Sequence, residues 1–144
     1  MNRPTYETSA DLERESAVID RFKEKWDVEV DKLPIRYHLD YIMHRGDKAL
    51  AFCEIKTRNQ PIELLRSWGG FMISLSKWVS AKALVESTGI PFILIYRTLD
   101  GDYYTKITDF KSNDGVYYRG RNDRNDWQDM EPCLKLSVER FKKL

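Results

Sequence analysis

Length, composition and charge bound the kind of protein that these 144 residues can form. A hydrophobic fraction of 42% supports one core, so we expect a single domain over residues 1–144. A formal net charge of +1 excludes a strong overall basic field, so a nucleic-acid partner would need a local basic patch. Two cysteines without metal-ligand spacing, no signal peptide and no long apolar run predict a cytoplasmic protein without a membrane partner.

A long amphipathic helix is predicted first, from Thr8 or Ser9 to about Trp26. Side chains spaced by three or four positions form one stripe along it: Leu12, Glu15, Ile19, Phe22 and Trp26. Glu15 is the only charged residue of this stripe. It lies either at the edge of the stripe, as half of an ion pair, or on a face that points at a site on the sheet. Glu13 takes its place if the helix is rotated.

Three strands are predicted after this helix. The first runs from Asp27 to Leu33, where apolar and charged residues alternate as in a strand with one solvated face, and Pro34 ends it. The next two run from Tyr37 to Met43 and from Ala49 to Lys56. The pair Gly46-Asp47 supplies the positive φ that a hairpin turn between them needs.

Charged side chains lie at the open end of this predicted hairpin. If its turn centres near Asp47, Asp40 falls almost opposite Glu54. Lys56 is two residues beyond Glu54, so it shares the same face of its strand. The other positions of the two strands are largely apolar on both faces, which is typical of buried central strands. Two carboxylates and an ammonium group at such a place indicate a ligand-binding site.

A second helix is predicted beyond the hairpin. Ile62 to Phe71 is apolar with paired glycines and is predicted to be irregular or loosely helical. A regular helix then begins at Ser74 or Ser76 and runs to about Thr88, where Gly89 ends it. Because a helix N-terminus favours phosphate, the first turn of this helix is a candidate contact with nucleic acid.

Strands dominate the remainder of the predicted chain. The nearly all-apolar segment Pro91 to Thr98 predicts a buried strand, and its position after a helix implies a crossover connection and a mixed sheet. A turn at Asp100-Gly101-Asp102 leads into an outer strand from Tyr103 to Ile107. Leu134 to Leu136 predicts a last short strand, and Ser137 caps a helical turn that runs through Phe141.

The spacing of the charged residues resembles the PD-(D/E)XK nuclease superfamily. Asp40 is followed, after thirteen intervening residues, by Glu54-Ile55-Lys56, and Leu39 stands where the motif has proline. The predicted order of helix, three strands, helix and strand is similar to that of the superfamily. Glu15 resembles the first-helix glutamate of its Holliday-junction resolvases. The C-terminal tail looks like those of small phage-encoded members, which implies a phage protein that acts in the host cell.

This resemblance implies a fold, an activity and a cofactor. The implied fold is α/β (α+β) and restriction-endonuclease-like, with a central mixed sheet of about five strands flanked by helices, in the order αβββαβ with a C-terminal β extension. The implied activity is that of a Mg²⁺-dependent deoxyribonuclease that leaves 5′-phosphates, with Mn²⁺ as a substitute metal. Asp40, Glu54 and the backbone carbonyl of Ile55 would hold the metal. Lys56 would orient the attacking water or stabilise the pentavalent phosphorus, and Glu15 would complete the metal shell directly or through water.

DNA is the expected partner, and six side chains are candidate contacts with it: Arg58, Ser76, Lys77, Arg119, Arg121 and Arg124. The last three are interleaved with aspartates, so an internally salt-bridged loop is an equally good interpretation. A lysine on an amphipathic helix is usually just solvated, which is the alternative for Lys77. Homodimers are common in this superfamily, and Trp68, Phe71 and Trp78 are the candidates for an exposed apolar patch.

Two other functions fit the same residues. The fold could bind DNA or a protein without cutting, although such a module has no chemical need for an aspartate, a glutamate and a lysine together. Alternatively, the pairs Asp40–Lys56 and Glu54–Arg58 are structural ion pairs of a domain without this chemistry. Metal binding that is lost when Glu54 is removed distinguishes the nuclease from both.

Overall fold

The computed structural model describes residues 9–33, 40–107, 115–120 and 130–144, and of positions 11, 115–120, 130 and 131 it describes the backbone alone. In chain order the elements are α1 (Ser9–Trp26), β1 (Glu29–Lys32), β2 (Tyr41–Arg45), β3 (Lys48–Thr57), α2 (Ile62–Ser67), β4 (Phe71–Ser74), α3 (Leu75–Thr88), β5 (Phe92–Thr98), β6 (Gly101–Lys106), β7 (Gly115–Gly120), β8 (Met130–Leu136), a 3₁₀ turn (Val138–Arg140) and β9 (Lys142–Lys143). None of the described helices is long and apolar enough to cross a lipid bilayer.

The central sheet is mixed and has six strands in the order β1-β2-β3-β5-β6-β9. β3 and β5 run parallel, whereas the other neighbours are antiparallel. Parallel neighbours need a long crossover connection, and here that connection contains α3. The predicted order αβββαβ and the mixed sheet are therefore confirmed. The sixth strand, β9, was not predicted, because two residues carry too little pattern to indicate a strand.

A second sheet of three antiparallel strands has the order β4-β8-β7. It confirms the predicted C-terminal β extension. Its strand β4 was missed, because its four residues, at the junction of the segment Ile62 to Phe71 and the cap of α3, carry too little pattern to indicate a strand. Of the segment Ile62 to Phe71, which was predicted to be irregular or loosely helical, only Ile62–Ser67 is helical. Gly70 lies directly before β4 and allows the backbone there to approach the end of β8 closely. It has a φ of 120°, and a Cβ placed there would meet the backbone oxygen of Leu136 at 1.9 Å.

The hairpin of β2 and β3 sets the register of the candidate site. Gly46 adopts a φ of 58° in its turn, as predicted. Tyr41 pairs with Cys53, and the amide of Asp40 donates a hydrogen bond of 3.3 Å to the carbonyl of Cys53. The next position along the register therefore brings Asp40 level with Glu54. The predicted juxtaposition of the two carboxylates is confirmed, even though the ladder shifts register between Met43 and His44.

Apolar side chains fill both faces of the central sheet. The core on the α1 face contains Val18, Phe22, Val28, Tyr41, Met43, Ala51, Cys53, Ile55, Ile93 and Ile95. The core on the opposite face, towards α3 and the second sheet, contains Leu65, Phe71, Ile73, Trp78, Ala81, Phe92, Leu94, Tyr96, Ile107, Leu134, Leu136, Val138 and Phe141. The expected exposed patch is thereby corrected, since Phe71 and Trp78 are buried in this second core and only Trp68 is exposed.

The helix α3 begins and ends at the residues that its sequence predicts. Ser74 is the N-cap, and its Oγ accepts a hydrogen bond of 3.2 Å from the amide of Lys77. Gly89 is the C-cap in the left-handed conformation, with a φ of 73°. The capping bond makes Lys77 the third residue of the helix. The first turn of α3, and with it the side chain of Lys77, therefore faces the middle of β3.

Candidate active site

Glu54 is the centre of the candidate site. Its side chain is 1% exposed, on the α3 face of β3. One carboxylate oxygen, Oε1, accepts hydrogen bonds from two ammonium groups, with Lys77 Nζ at 2.5 Å and Lys56 Nζ at 3.0 Å. The other oxygen, Oε2, is buried and has no hydrogen-bond partner in the part of the chain that the structure describes. A buried, ionised oxygen without a partner is costly, so Oε2 is suited to a cation.

Asp40 lies directly before β2 and is partly buried. Its carbonyl accepts a hydrogen bond of 2.8 Å from the amide of Leu33, and its own amide donates to Cys53, so its backbone is held from both sides. Burial is the main cause that raises the pKa of the Asp40 carboxyl, and the negative charge of Glu54 adds to it. Positive charges on Lys77, Lys56 and Lys32 oppose this rise.

The pKa of Glu54 moves in the other direction. Burial alone would raise the pKa of this carboxyl, but the charges and hydrogen bonds of Lys56 and Lys77 outweigh burial and hold the pKa below its ordinary value. Glu54 is therefore ionised at neutral pH, while the neighbouring Asp40 gives up its proton less readily. Two carboxylates that repel each other and two lysines that compensate them form one coupled electrostatic group.

Ile55 lies between the two charged residues of the motif and contributes to the opposite core. Its side chain is 4% exposed and packs on the α1 face, and its position pairs with Ile95 of β5. On the β2 side, residue 39 lies outside the described residues. The role of the Ile55 carbonyl as a metal ligand stays a prediction.

Glu15 has its contacts on the α1 side of the sheet. Its Oε2 accepts a hydrogen bond of 2.5 Å from the hydroxyl of Tyr41. Lys32 Nζ lies 3.9 Å from the same oxygen and 5.0 Å from the centre of the Tyr41 ring. These contacts match the alternative in which Glu15 is half of an ion pair. Among the described residues, no three His, Cys, Asp or Glu side chains come together to hold a metal, and a place for Glu15 in a metal shell stays a prediction.

The predicted DNA contacts divide into three groups. Arg58 donates a hydrogen bond of 3.0 Å to the carbonyl of Thr57, and its guanidinium lies 5.5 Å from the centre of the Tyr96 ring. These two contacts orient Arg58, in place of the ion pair with Glu54 that the sequence offered as an alternative. Ser76 is exposed in the first turn of α3, with its Oγ 3.3 Å from Ser74 Oγ. The side chain of Arg119 and the whole of Arg121 and Arg124 lie outside the described residues, so their roles stay predictions.

Lys77 is the residue whose position the sequence did not reveal. It was predicted as a phosphate contact, and the structure shows its ammonium on the carboxylate of Glu54, 23 positions earlier in the chain. The sequence held part of the information needed to predict this contact, since Lys77 lies three residues after the cap Ser74 on a helix that follows the motif. The distance between α3 and β3 was needed to recognise the contact.

A family model described as "Phage putative PDDEXK endonuclease" matches residues 1–144. The chain belongs to this family. The mixed sheet and the order αβββαβ are accordingly those of a restriction-endonuclease-like fold. No curated protein matches the chain in sequence.

Solved structures similar to this chain include Hjc of Archaeoglobus fulgidus, a Holliday junction resolvase from an archaeal hyperthermophile. The TM-score is 0.45 and the sequence identity is 10%. The similarity covers 63% of this chain and 76% of that chain.

Proposed function

We propose that this protein hydrolyses phosphodiester bonds of DNA with the help of Mg²⁺, which Mn²⁺ can replace. The single observation that carries the proposal is the buried Oε2 of Glu54, which lacks a hydrogen-bond partner among the described residues. It lies level with Asp40, whose pKa is raised by burial and by the charge of Glu54. A divalent cation between the two carboxylates would give Oε2 a partner and would offset the repulsion between Asp40 and Glu54.

The available donor atoms fit a hard divalent cation. Carboxylate oxygens of Asp40 and Glu54 and the backbone carbonyl of Ile55 are oxygen ligands, the kind that Mg²⁺ prefers. Mg²⁺ usually keeps several waters and takes one or two carboxylates from the protein, so two carboxylates suffice. When bound, the ion lowers the pKa of the attacking water and neutralises charge that develops on the phosphate.

Lys56 is the proposed catalytic lysine. Glu54 holds its ammonium at 3.0 Å through Oε1, and its side chain is 33% exposed, so it reaches solvent while its position is fixed. From there it can orient the attacking water or donate a hydrogen bond to a non-bridging oxygen of the pentavalent phosphorus. The water gives up a proton to solvent as it forms the new bond to phosphorus, the bond from phosphorus to the 3′ oxygen breaks, and that oxygen takes a proton from solvent, which leaves a 3′-hydroxyl and a 5′-phosphate.

Glu15 acts in this proposal through water. The hydrogen bond from Tyr41 and the charge of Lys32 hold its carboxylate on the α1 side of the hairpin. Lys32 also contributes to the pKa of Asp40, so this group lies at the same end of the hairpin as the carboxylates. A water molecule between Glu15 and the metal shell would let it contribute without direct ligation.

The DNA backbone is proposed to lie across the first turn of α3. Ser76 is exposed there, and Arg58 follows β3 at the same end of the strand as Lys56. Arg119, Arg121 and Arg124 are proposed as further phosphate contacts. These basic groups would position the backbone without reading its sequence, because contacts with phosphate carry no direct base information.

A cleavage panel tests this function. Supercoiled plasmid, linear duplex, single-stranded circles and a four-way junction are incubated with Mg²⁺ or Mn²⁺ beside Glu54→Gln, Lys56→Ala and the control Lys82→Ala. Lys82 is a matched control because it lies on α3 and pairs with Glu86 at 3.7 Å. We expect metal-dependent cleavage by the wild type and by Lys82→Ala, a strong loss of cleavage in Lys56→Ala, and a fall in cleavage of about 10²-fold or more in Glu54→Gln.

Two other outcomes would contradict the proposal. Gel-shift binding of DNA without cleavage of any substrate, by a protein whose Tm does not respond to Mn²⁺, would indicate a non-cutting binding module. Cleavage that persists in Glu54→Gln at the wild-type rate would place the chemistry elsewhere. Chelation with EDTA supplies an internal control, since it should stop cleavage and addition of Mg²⁺ should restore it.

A further inference from the structure

The two oxygens of Glu54 have opposite surroundings. Oε1 accepts bonds from both Lys56 and Lys77, whereas Oε2 has no hydrogen-bond partner among the described residues. The shorter of the two ammonium contacts, at 2.5 Å, is the one from Lys77. Two cations therefore crowd one oxygen while the other oxygen stays available. This asymmetry is unexpected for a simple ion pair, which one lysine would satisfy.

Lys77 is held in this position by a helix cap that is independent of the site. The hydroxyl of Ser74 accepts the backbone amide of Lys77 and so fixes where the first turn of α3 begins. Trp78, the next residue, is fully buried in the core on the α3 face. The backbone on both sides of Lys77 is thus anchored, and the contact with Glu54 follows from the packing of α3 and not from a flexible surface side chain.

The charges of the site suggest what this second lysine does. In their ionised forms, the two carboxylates of Asp40 and Glu54 and the two ammonium groups of Lys56 and Lys77 sum to zero. One divalent ion would give the group a net charge that a phosphodiester and its developing transition-state charge can offset. A second ion would add as much positive charge again, close to two ammonium groups that repel it.

The carboxylates available at the site also favour one divalent ion over two. Sites with two metals need carboxylates that bridge ions about 3.5–4 Å apart. No three His, Cys, Asp or Glu side chains come together for this purpose among residues 9–33, 40–107 and the described part of the C-terminal segment. Oε1 of Glu54, the oxygen that a bridging carboxylate would offer to a second ion, is the oxygen that the lysines occupy.

We propose that Lys77 is a built-in cation of the site, which holds Oε1 of Glu54 so that this carboxylate can offer only Oε2 to a divalent ion, with one ion per chain. This inference rests on the proposed metal-dependent function and specifies the number of ions. Lys77 acts through Glu54, so it is a positioning residue. Lys56, on the same oxygen, remains the lysine assigned to the attacking water.

Binding of Mn²⁺ without DNA tests the proposal by a readout other than activity. Isothermal titration and the loss of the free Mn²⁺ electron-paramagnetic-resonance signal give the number of ions and their affinity. The wild type should bind one ion per chain. Lys77→Met should bind Mn²⁺ about tenfold more tightly, because one positive charge next to the ion is gone. Lys77→Arg, which keeps the charge, should return to the wild-type affinity, and Lys82→Met, on the same helix, should match the wild type.

Each other result has a distinct meaning. Two ions bound to the wild type, or an unchanged or weaker affinity in Lys77→Met, would overturn the role of Lys77 while leaving a metal-dependent nuclease intact. A folded wild type that binds no Mn²⁺ would overturn this proposal and the proposed function together. The number of Mn²⁺ ions that the wild type binds is measured without any variant, so this part of the test stands even if Lys77→Met fails to fold.

Discussion

The two faces of β3 carry different chemistry on the same backbone. On the α1 face, Ala51, Cys53 and Ile55 are buried in an apolar core, and burial raises the pKa of the Cys53 thiol so that it stays neutral. On the α3 face the side chains change along the strand from Phe52 to Glu54 and then to Lys56. Glu54 is as deeply buried as its apolar neighbours, yet it is ionised.

This difference explains how a charge can be buried in the middle of a sheet. The strand is hydrogen-bonded on both sides, to β2 and β5, and its α1 face is packed with aliphatic side chains. The backbone therefore cannot move Glu54 out to water at low cost. Two lysines compensate the charge of Glu54 instead, and an oxygen is left over for a ligand. The packed α1 face therefore fixes the backbone of β3, and this fixed backbone holds Glu54 in place on the α3 face.

Glu54→Gln should have the largest effect on the charged face. The amide keeps the shape of the side chain but cannot serve as an anionic metal ligand, so cleavage should fall by about 10²-fold or more. The measurement is the single-turnover rate on the substrate that the wild type cuts best. A variant that folds, as judged by its circular-dichroism spectrum, and still cleaves at the wild-type rate would remove Glu54 from the mechanism.

Ile55→Ala breaks the apolar face while leaving the charged face in place. Loss of a side chain that is 4% exposed should lower the free energy of unfolding by about 2–4 kcal/mol. Its backbone carbonyl is retained, so the cleavage rate per folded molecule should stay close to that of the wild type. Urea denaturation gives the stability, with Val79→Ala on the exposed side of α3 as the control. A large loss of cleavage in fully folded Ile55→Ala would mean that the two faces are not separable.

Asp40→Asn should stabilise the metal-free protein by on the order of 1 kcal/mol, the usual size of a single stabilising substitution. Burial and the charge of Glu54 raise the pKa of Asp40 above its ordinary value of 3.8, so the folded state binds its proton more readily than the unfolded chain. The wild type therefore loses stability as the pH rises from this ordinary value through the raised pKa, and the deficit persists at neutral pH.

Thermal melts with and without Mn²⁺ check this prediction at pH 7 and below pH 3.8. Asp40→Asn should melt above the wild type at pH 7 without metal, and the difference should disappear at the low pH. Saturating Mn²⁺ should reverse the order, because only the wild type gains binding free energy in the folded state. A metal-free Asp40→Asn that melts below the wild type at pH 7 would contradict the repulsion between the two carboxylates.

The smallest effect is expected at an exposed ion pair of the same sheet, between β1 and β2. His44 Nε2 lies 2.6 Å from Asp31 Oδ2, and its Nδ1 lies 3.0 Å from the carbonyl oxygen of Gly46. The contact with Gly46 and then that with Asp31 raise the pKa of His44 above 6.5. Its contribution to stability is therefore present below the pKa of the unfolded chain and lost as the pH rises through the raised value.

An NMR titration of the His44 ring measures this pKa directly. Asp31→Asn should lower the pKa of His44 towards its ordinary value, with little change in Tm because water screens exposed pairs. His44→Gln assigns the resonance. An unchanged pKa in Asp31→Asn would show that the backbone contact with Gly46 alone is responsible. The pKa of His44 would then depend on a backbone hydrogen bond, whereas the pKa of the buried Glu54 depends on the charges of two lysines.

Local patterns in the sequence were sufficient to predict much of this molecule. The bounds of α1, the caps Ser74 and Gly89 of α3, and the register that brings Asp40 level with Glu54 all follow from short-range rules of periodicity, capping and turn geometry. The PD-(D/E)XK resemblance rested on these same features, and the family match agrees with it. Such features are predictable because the residues that decide them lie within a few positions of one another.

Contacts between distant segments could be decided only by the tertiary structure. Pairing of β4 with β8 joins segments about sixty residues apart, Arg21 of α1 reaches Asp102 of β6 at 2.5 Å, and Lys77 meets Glu54 across the layer between a helix and a sheet. A lysine on a helix or a short apolar run has the same local pattern whether it is solvated or buried. The sequence by itself therefore determined the order αβββαβ and the two carboxylates of the site, whereas the packing of α3 on β3 decided which cations share them.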